Sequence, residues 1–175
     1  MQNTTKKICT NAIGVALFVV LTLCVQVPVF ENYYICLGYV VMALYCYMFG
    51  PVSGSVVGCV GTMLYCVLTG GLNGMPGWTL GNMVIGIALG LACKITINMK
   101  NHAFRYAILC STIIIATAIG ILGVKSIMEV VLYAHPFWIR VAKNMPAFIA
   151  DIVILIIGLP VCAGLAPTLR KQLHL

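Results

Sequence analysis

Only three side chains in the 175 residues are acidic, Glu31, Glu129 and Asp151. Asp151 falls about two turns into the last apolar segment, where an ionisable group is costly unless it faces a protein cavity. Asn144, Phe148 and Asp151 share one helical face by the i, i+4, i+7 rule, and Arg140 continues that stripe outward if the helix begins near Pro136. The stripe is a candidate substrate-binding surface; the competing reading makes Asp151 a structural group hydrogen-bonded to a neighbouring helix. Asn82 can both donate and accept, which suits the edge of a heterocyclic ring or, equally, a helix–helix contact. Trp78 offers a stacking face for a flat ligand or an anchor in the aromatic belt.

Two stretches could cover such a site. The first holds Lys125, Glu129, Tyr133, His135, Trp138 and Arg140 and is long enough to fold over a cavity mouth, although Lys125 and Glu129 at i, i+4 also suit a simple pair on a short helix. The second is Phe30 to Tyr34, with Tyr33 a candidate ligand contact or an interface anchor. Enzyme chemistry finds no support. There is no H-E-x-x-H metal motif, no G-x-S-x-G elbow and no C-x-x-C, and His102, His135 and His174 stand apart near proposed membrane faces.

The elements that must position these groups are about six hydrophobic stretches, each near the ~20 residues that cross a bilayer core. Charged residues are 7% of the chain and the mean hydropathy is +1.10, so the expected fold is an all-α integral membrane protein forming a single membrane-embedded domain over 1–175. The helices are expected at about 8–28, 35–49, 52–69, 78–97, 104–123 and 137–165. Gly50-Pro51 joins the second and third with almost no loop. Gly70, Gly71, Asn73, Gly74, Pro76 and Gly77 make the most turn-rich connection.

With both termini cytoplasmic, Lys6, Lys7, Lys94, Lys100, Arg105, Arg170 and Lys171 lie inside and Lys125, Arg140 and Lys143 outside, as the positive-inside rule prefers. The net charge of +7 therefore points to membrane faces and anionic lipid headgroups, not nucleic acid. The nine cysteines read as small hydrophobes, with no metal site expected. No separate signal peptide is expected, because the apolar run after Lys7 is too long.

Small residues recur at four-residue spacing, as in Ala12 and Ala16, Gly50, Gly54 and Gly58, Gly77 and Gly81, and Gly86 and Gly90. They allow close helix packing, and on the first helix Ala12 and Ala16 could form an external docking surface. In order along the chain, this Ala-x-x-x-Ala pair, Leu37-Gly38, Phe49-Gly50-Pro51 with Gly54 and Gly58, Pro76-Gly77-Trp78-Thr79 with Gly81-Asn82-Met83-Val84-Ile85-Gly86, and Asn144-Met145-Pro146-Ala147 resemble the substrate-binding S components of energy-coupling factor (ECF) vitamin transporters. The resemblance covers most of the chain and is closest to the riboflavin and hydroxymethylpyrimidine branch. One departure is Tyr39-Val40-Val41 and Tyr65-Cys66, where that branch often has polar or acidic residues.

The resemblance implies a six-helix subunit that captures a vitamin or vitamin precursor with high affinity. It would then topple in the membrane while docked on a transmembrane coupling subunit driven by two cytoplasmic ATPases, in a bacterial plasma membrane. The absence of a G-x-x-x-x-G-K-[ST] loop agrees with ATP being used by partners, with no cofactor in this chain. Pyrimidines, flavins, pterins and pantothenate-like acids all remain open, with a flat heteroaromatic favoured by the aromatic residues at the outer ends. The rival reading is a small self-sufficient secondary transporter with Asp151 carrying the proton coupling.

Overall fold

The computed structural model describes residues 2–24, 26–30 and 33–172. It is a helical bundle of α1 (Gln2–Cys24), α2 (Gly38–Phe49), α3 (Pro51–Thr69), α4 (Met75–Thr96), α5 (His102–Thr117), α6 (Ser126–Tyr133) and α7 (Phe137–Gln172). A π-helical segment, Ala118–Lys125, joins α5 to α6, so that His102–Tyr133 forms one 32-residue span. Among the described residues five helices are long and apolar enough to cross a membrane, and α2, at 12 residues, completes a count of six. Helices consecutive in the chain run antiparallel, which puts the start of α1 and the end of α7 opposite the α3–α4 loop.

The bundle departs from the purely helical expectation in one place. The first helix stops at Cys24, and Gln26–Phe30 (β1) pairs antiparallel with Tyr33–Cys36 (β2), with a bulge between Pro28 and Phe30. Pro28 lacks an N–H and Val27 precedes it, so helix is disfavoured where extended backbone is not. The second helix consequently starts at Gly38, not 35, and spans about 18 Å, too short to cross a ~30 Å core alone.

Other boundaries differ too. The fifth helix does not end at 123 but continues to Tyr133, which makes the first part of the expected lid stretch a helix that buries Lys125, Ser126 and Glu129 up to a left-handed Ala134 (φ 53°). The last helix runs past 165 to Gln172 in spite of internal Pro146, Pro160 and Pro167. Three helices start earlier than expected, α1 at Gln2 rather than 8, α4 at Met75 rather than 78 and α5 at His102 rather than 104, where Asn101 caps it by accepting from Phe104 N–H at 3.2 Å; Pro51 stands in the first turn of α3 as its position signals.

Close helix approach makes the core. A Cβ on Gly86 would lie 2.7 Å from the Ser55 Cα, and one on Gly81 would meet the Gly120 carbonyl at 2.7 Å, so α4 touches both α3 and the π segment backbone to backbone. Phe18, Tyr39, Met42, Ile85, Leu89 and Leu155 fill the interior. Ile8, Val52, Ile95, Val131 and Ile157 remain exposed, an outer surface that suits lipid.

Candidate functional site

Tyr39, fully buried on the first turn of α2, is the centre of a polar chain across the bundle. Trp78 Nε1–H donates to the Tyr39 hydroxyl at 2.8 Å, and that hydroxyl donates to Asn82 Oδ1 at 2.8 Å. Asn82 Nδ2 donates to the Thr62 hydroxyl, which donates to the Gly58 carbonyl at 2.7 Å. Helices α2, α3 and α4 are thus joined by side chains in the bundle interior, where such bonds gain most from low dielectric. Asp151, buried on α7, lies within electrostatic reach of Tyr39.

A second cluster adjoins it. Asn144 on α7 donates to Ser126 Oγ at 3.1 Å and to Glu129 Oε2 at 3.2 Å, and Arg140 stands 3.8 Å from the same carboxylate oxygen. Lys125, only 8% exposed, carries its charge within electrostatic reach of both Glu129 and Asp151. Two basic and two acidic side chains are thus brought together. The π segment is what delivers it: Ser126 Oγ donates to the Ile121 carbonyl five residues back at 3.5 Å, and Gly77 lets α4 lie against the Lys125 backbone.

A cavity of about 190 Å³ opens beside this cluster, lined by Asn73, Gly74, Glu129, Tyr133, His135 and Arg140. Its walls come from the α3–α4 loop and the corner between α6 and α7. Trp78 packs edge-on against Tyr65 with ring centroids 5.7 Å apart, behind the polar chain.

Seven of the residues singled out in the sequence, Trp78, Asn82, Lys125, Glu129, Arg140, Asn144 and Asp151, come together in these two adjoining clusters. Their roles divide. Asn82 and Asn144 are buried with their amides engaged by protein, so they hold Tyr39 and Glu129 in place, while Glu129 and Arg140 reach the cavity. Glu129 is paired with Arg140. Lys125, expected in a connection after the fifth helix, is buried on the π segment, which turns it inward. Trp138, at 78% exposed, lies outside the site. The side-chain role expected of Tyr33 lies outside the described residues.

Tyr39, Thr62 and Ser126 were not legible as site residues. Tyr39 stood out only as a departure from the resembling branch, and a hydroxyl aromatic in a short apolar helix was its one available signal. On the opposite half of the bundle, Ala12 and Ala16 are exposed and line an apolar groove of about 840 Å³ between α1 and α3.

Comparison with known proteins agrees with this architecture. UPF0397 proteins from Streptococcus thermophilus strains LMD-9 and CNRZ 1066 are each 27% identical over 98% of this chain and 95% of their own length. The family described as ECF-type riboflavin transporter, S component, matches residues 2–167. With long apolar helices and a transporter-subunit family rather than an enzyme family, this is a multi-pass membrane protein, and the chain belongs to the S components of ECF-type riboflavin transporters.

Proposed function

We propose that this chain is the high-affinity capture subunit for uptake of a vitamin or vitamin precursor, a flat heteroaromatic of the riboflavin or hydroxymethylpyrimidine kind, across a bacterial plasma membrane. The observation that carries this reading is the set of acidic, basic and polar side chains around Tyr39, Glu129 and Asp151, gathered next to a cavity in an otherwise apolar bundle. Burying charges for stability alone is seldom favourable, so a site for a polar ligand is the better account. The cavity faces outward and both termini face the cytoplasm, because Lys6, Lys7, Lys94, Lys100 and Lys171 lie at the far end of the bundle, where cytoplasmic anionic lipids would meet them.

Substrate would be delivered by toppling on a transmembrane coupling subunit powered by two ATPases, ATP binding being left to those partners. Ala12 and Ala16, exposed along the groove of α1, are the docking residues: a small-residue stripe lets a partner helix approach closely. The competing reading, a self-sufficient proton-coupled carrier, rests on the buried Asp151. Purification with tagged ATPase subunits and mass spectrometry of retained ligand test the proposal. Uptake by the reconstituted chain alone, on a proton gradient with neither ATP nor partners, would overturn it.

A further inference from the structure

We infer that Glu129 and Arg140 together read a donor–acceptor edge on the ligand, such as the adjacent N–H and C=O of an imide or the amino group and ring nitrogen of an aminopyrimidine. This rests on the capture of a flat heteroaromatic proposed above.

The geometry sets the chemistry. Glu129 Oε2 and Arg140 are 3.8 Å apart, beyond the ~2.7–3.2 Å of a hydrogen bond, so the two charges neutralise each other without a direct bond between them. Glu129 is held from behind by Asn144 at 3.2 Å, and Asn144 is fixed in turn by Ser126. Both charged groups line the cavity. A carboxylate only accepts and a guanidinium only donates, so side by side they match a ligand edge that presents one donor next to one acceptor. A simple anion would meet Glu129, and a simple cation would meet Arg140, which disfavours pantothenate-like acids.

Size narrows the mode. At about 190 Å³ the cavity is below the ~300–1,000 Å³ typical of whole-ligand pockets, so it admits a ring edge while the rest of the ligand stays outside it. The rings of Tyr133 and His135, 6.4 Å apart and tilted by 44°, flank the opening and offer faces to a flat guest.

The test is calorimetric titration of the purified chain with lumichrome and 3-methyllumichrome, and with hydroxymethylpyrimidine and its 4-dimethylamino analogue. At least one parent compound should bind, and N-methylation should weaken it tenfold or more. In Glu129→Ala, which removes the acceptor and leaves room for the methyl group, that penalty should fall below threefold. Pantothenate should bind neither protein. Equal binding of parent and methylated ligand to the wild-type chain would overturn the role of the pair while leaving heteroaromatic capture standing, and this comparison needs no variant. A penalty unchanged in Glu129→Ala, or tighter binding of pantothenate, would overturn it as well. If neither parent binds, the proposed ligand class falls and the inference falls with it.

Discussion

Tyr39→Phe should destabilise the protein by about 3 kcal/mol, far more than loss of one hydroxyl normally does. The substitution keeps the ring, and with it the packing against Phe18 at 6.2 Å, so no cavity is created. It removes the acceptor for Trp78 N–H and the donor to Asn82 Oδ1, and it strips Asp151 of a neighbour. At the ~0.6 kcal/mol averaged for hydrogen bonds inside membrane bundles, the two measured bonds would give about 1.2 kcal/mol. Each orphaned buried group, however, costs about 1–3 kcal/mol when nothing replaces its partner. Asn82 is 0% exposed and Trp78 half-buried, so at least the Asn82 oxygen is left without a replacement partner and the larger figure applies. Tyr45→Phe is the comparison, since it loses a single bond to the Thr10 carbonyl at 2.9 Å and should cost about 1 kcal/mol. Reversible denaturation in mixed micelles measures both. The Tyr39→Phe/Trp78→Phe double variant should cost at least about 1 kcal/mol less than the sum of its parts, because the second change removes an orphan left by the first. Additive effects, or a Tyr39→Phe cost no greater than that of Tyr45→Phe, would show that these residues do not act as one network.

Ala16→Trp should abolish uptake by the assembled transporter while the isolated protein still binds substrate, since the side chain is exposed on α1 away from the cavity; loss of binding by the purified variant would place this face in the site. Substrate should quench tryptophan fluorescence through Trp78 alone, so that Trp78→Phe removes the signal and Trp138→Phe leaves it, and the reverse pattern would move the site. Gly86→Val should cost about 1–3 kcal/mol by forcing α3 from α4, whereas Gly164→Ala, with open space around it, should be neutral or slightly stabilising in the same denaturation assay. Asp151→Asn should weaken binding by about 1–3 kcal/mol and leave uptake dependent on ATP; loss of gradient-driven uptake with exchange retained would instead mark it as a proton carrier.

The limits of α3 were legible because local chemistry sets them, Pro51 beginning it and Gly70 ending it, whereas Pro76, read as part of the turn-rich connection, stands in the first turn of α4, which starts three residues before the expected 78. The apolar run from Ile8 onward held no comparable mark, and the strand over Gln26–Phe30 emerged only because it has Tyr33–Cys36 to pair with, a partner outside any helical window. For the site, the stripe of Arg140, Asn144 and Asp151 followed from helical period alone. Trp78 and Asn82 followed from their polarity on α4. Tyr39 and Thr62 did not, since a hydroxyl in an apolar helix is ordinary until other helices supply its partners. The burial of Lys125 was not legible for a different reason. Hydropathy and charge counts assume an α-helix that ends near Gly123, and no such count registers the wider turn that follows Thr117.

That wider turn bears on how the site is built. Gly120 lies against Gly81 with no room for a side chain on either, which pins the π segment to α4, and Ser126 bonds back across five residues rather than four. A continuous α-helix through the same stretch would point Lys125, Ser126 and Glu129 in other directions, away from Asn144 and Asp151. The rarer helix is therefore what matches the charges of this span to those of α7, cation for anion. Because apolar side chains of similar volume would pack the same space at no desolvation cost, stability does not explain the match. The binding role proposed above does: acidic and basic side chains set against one another can hold the polar edge of an uncharged ring between them.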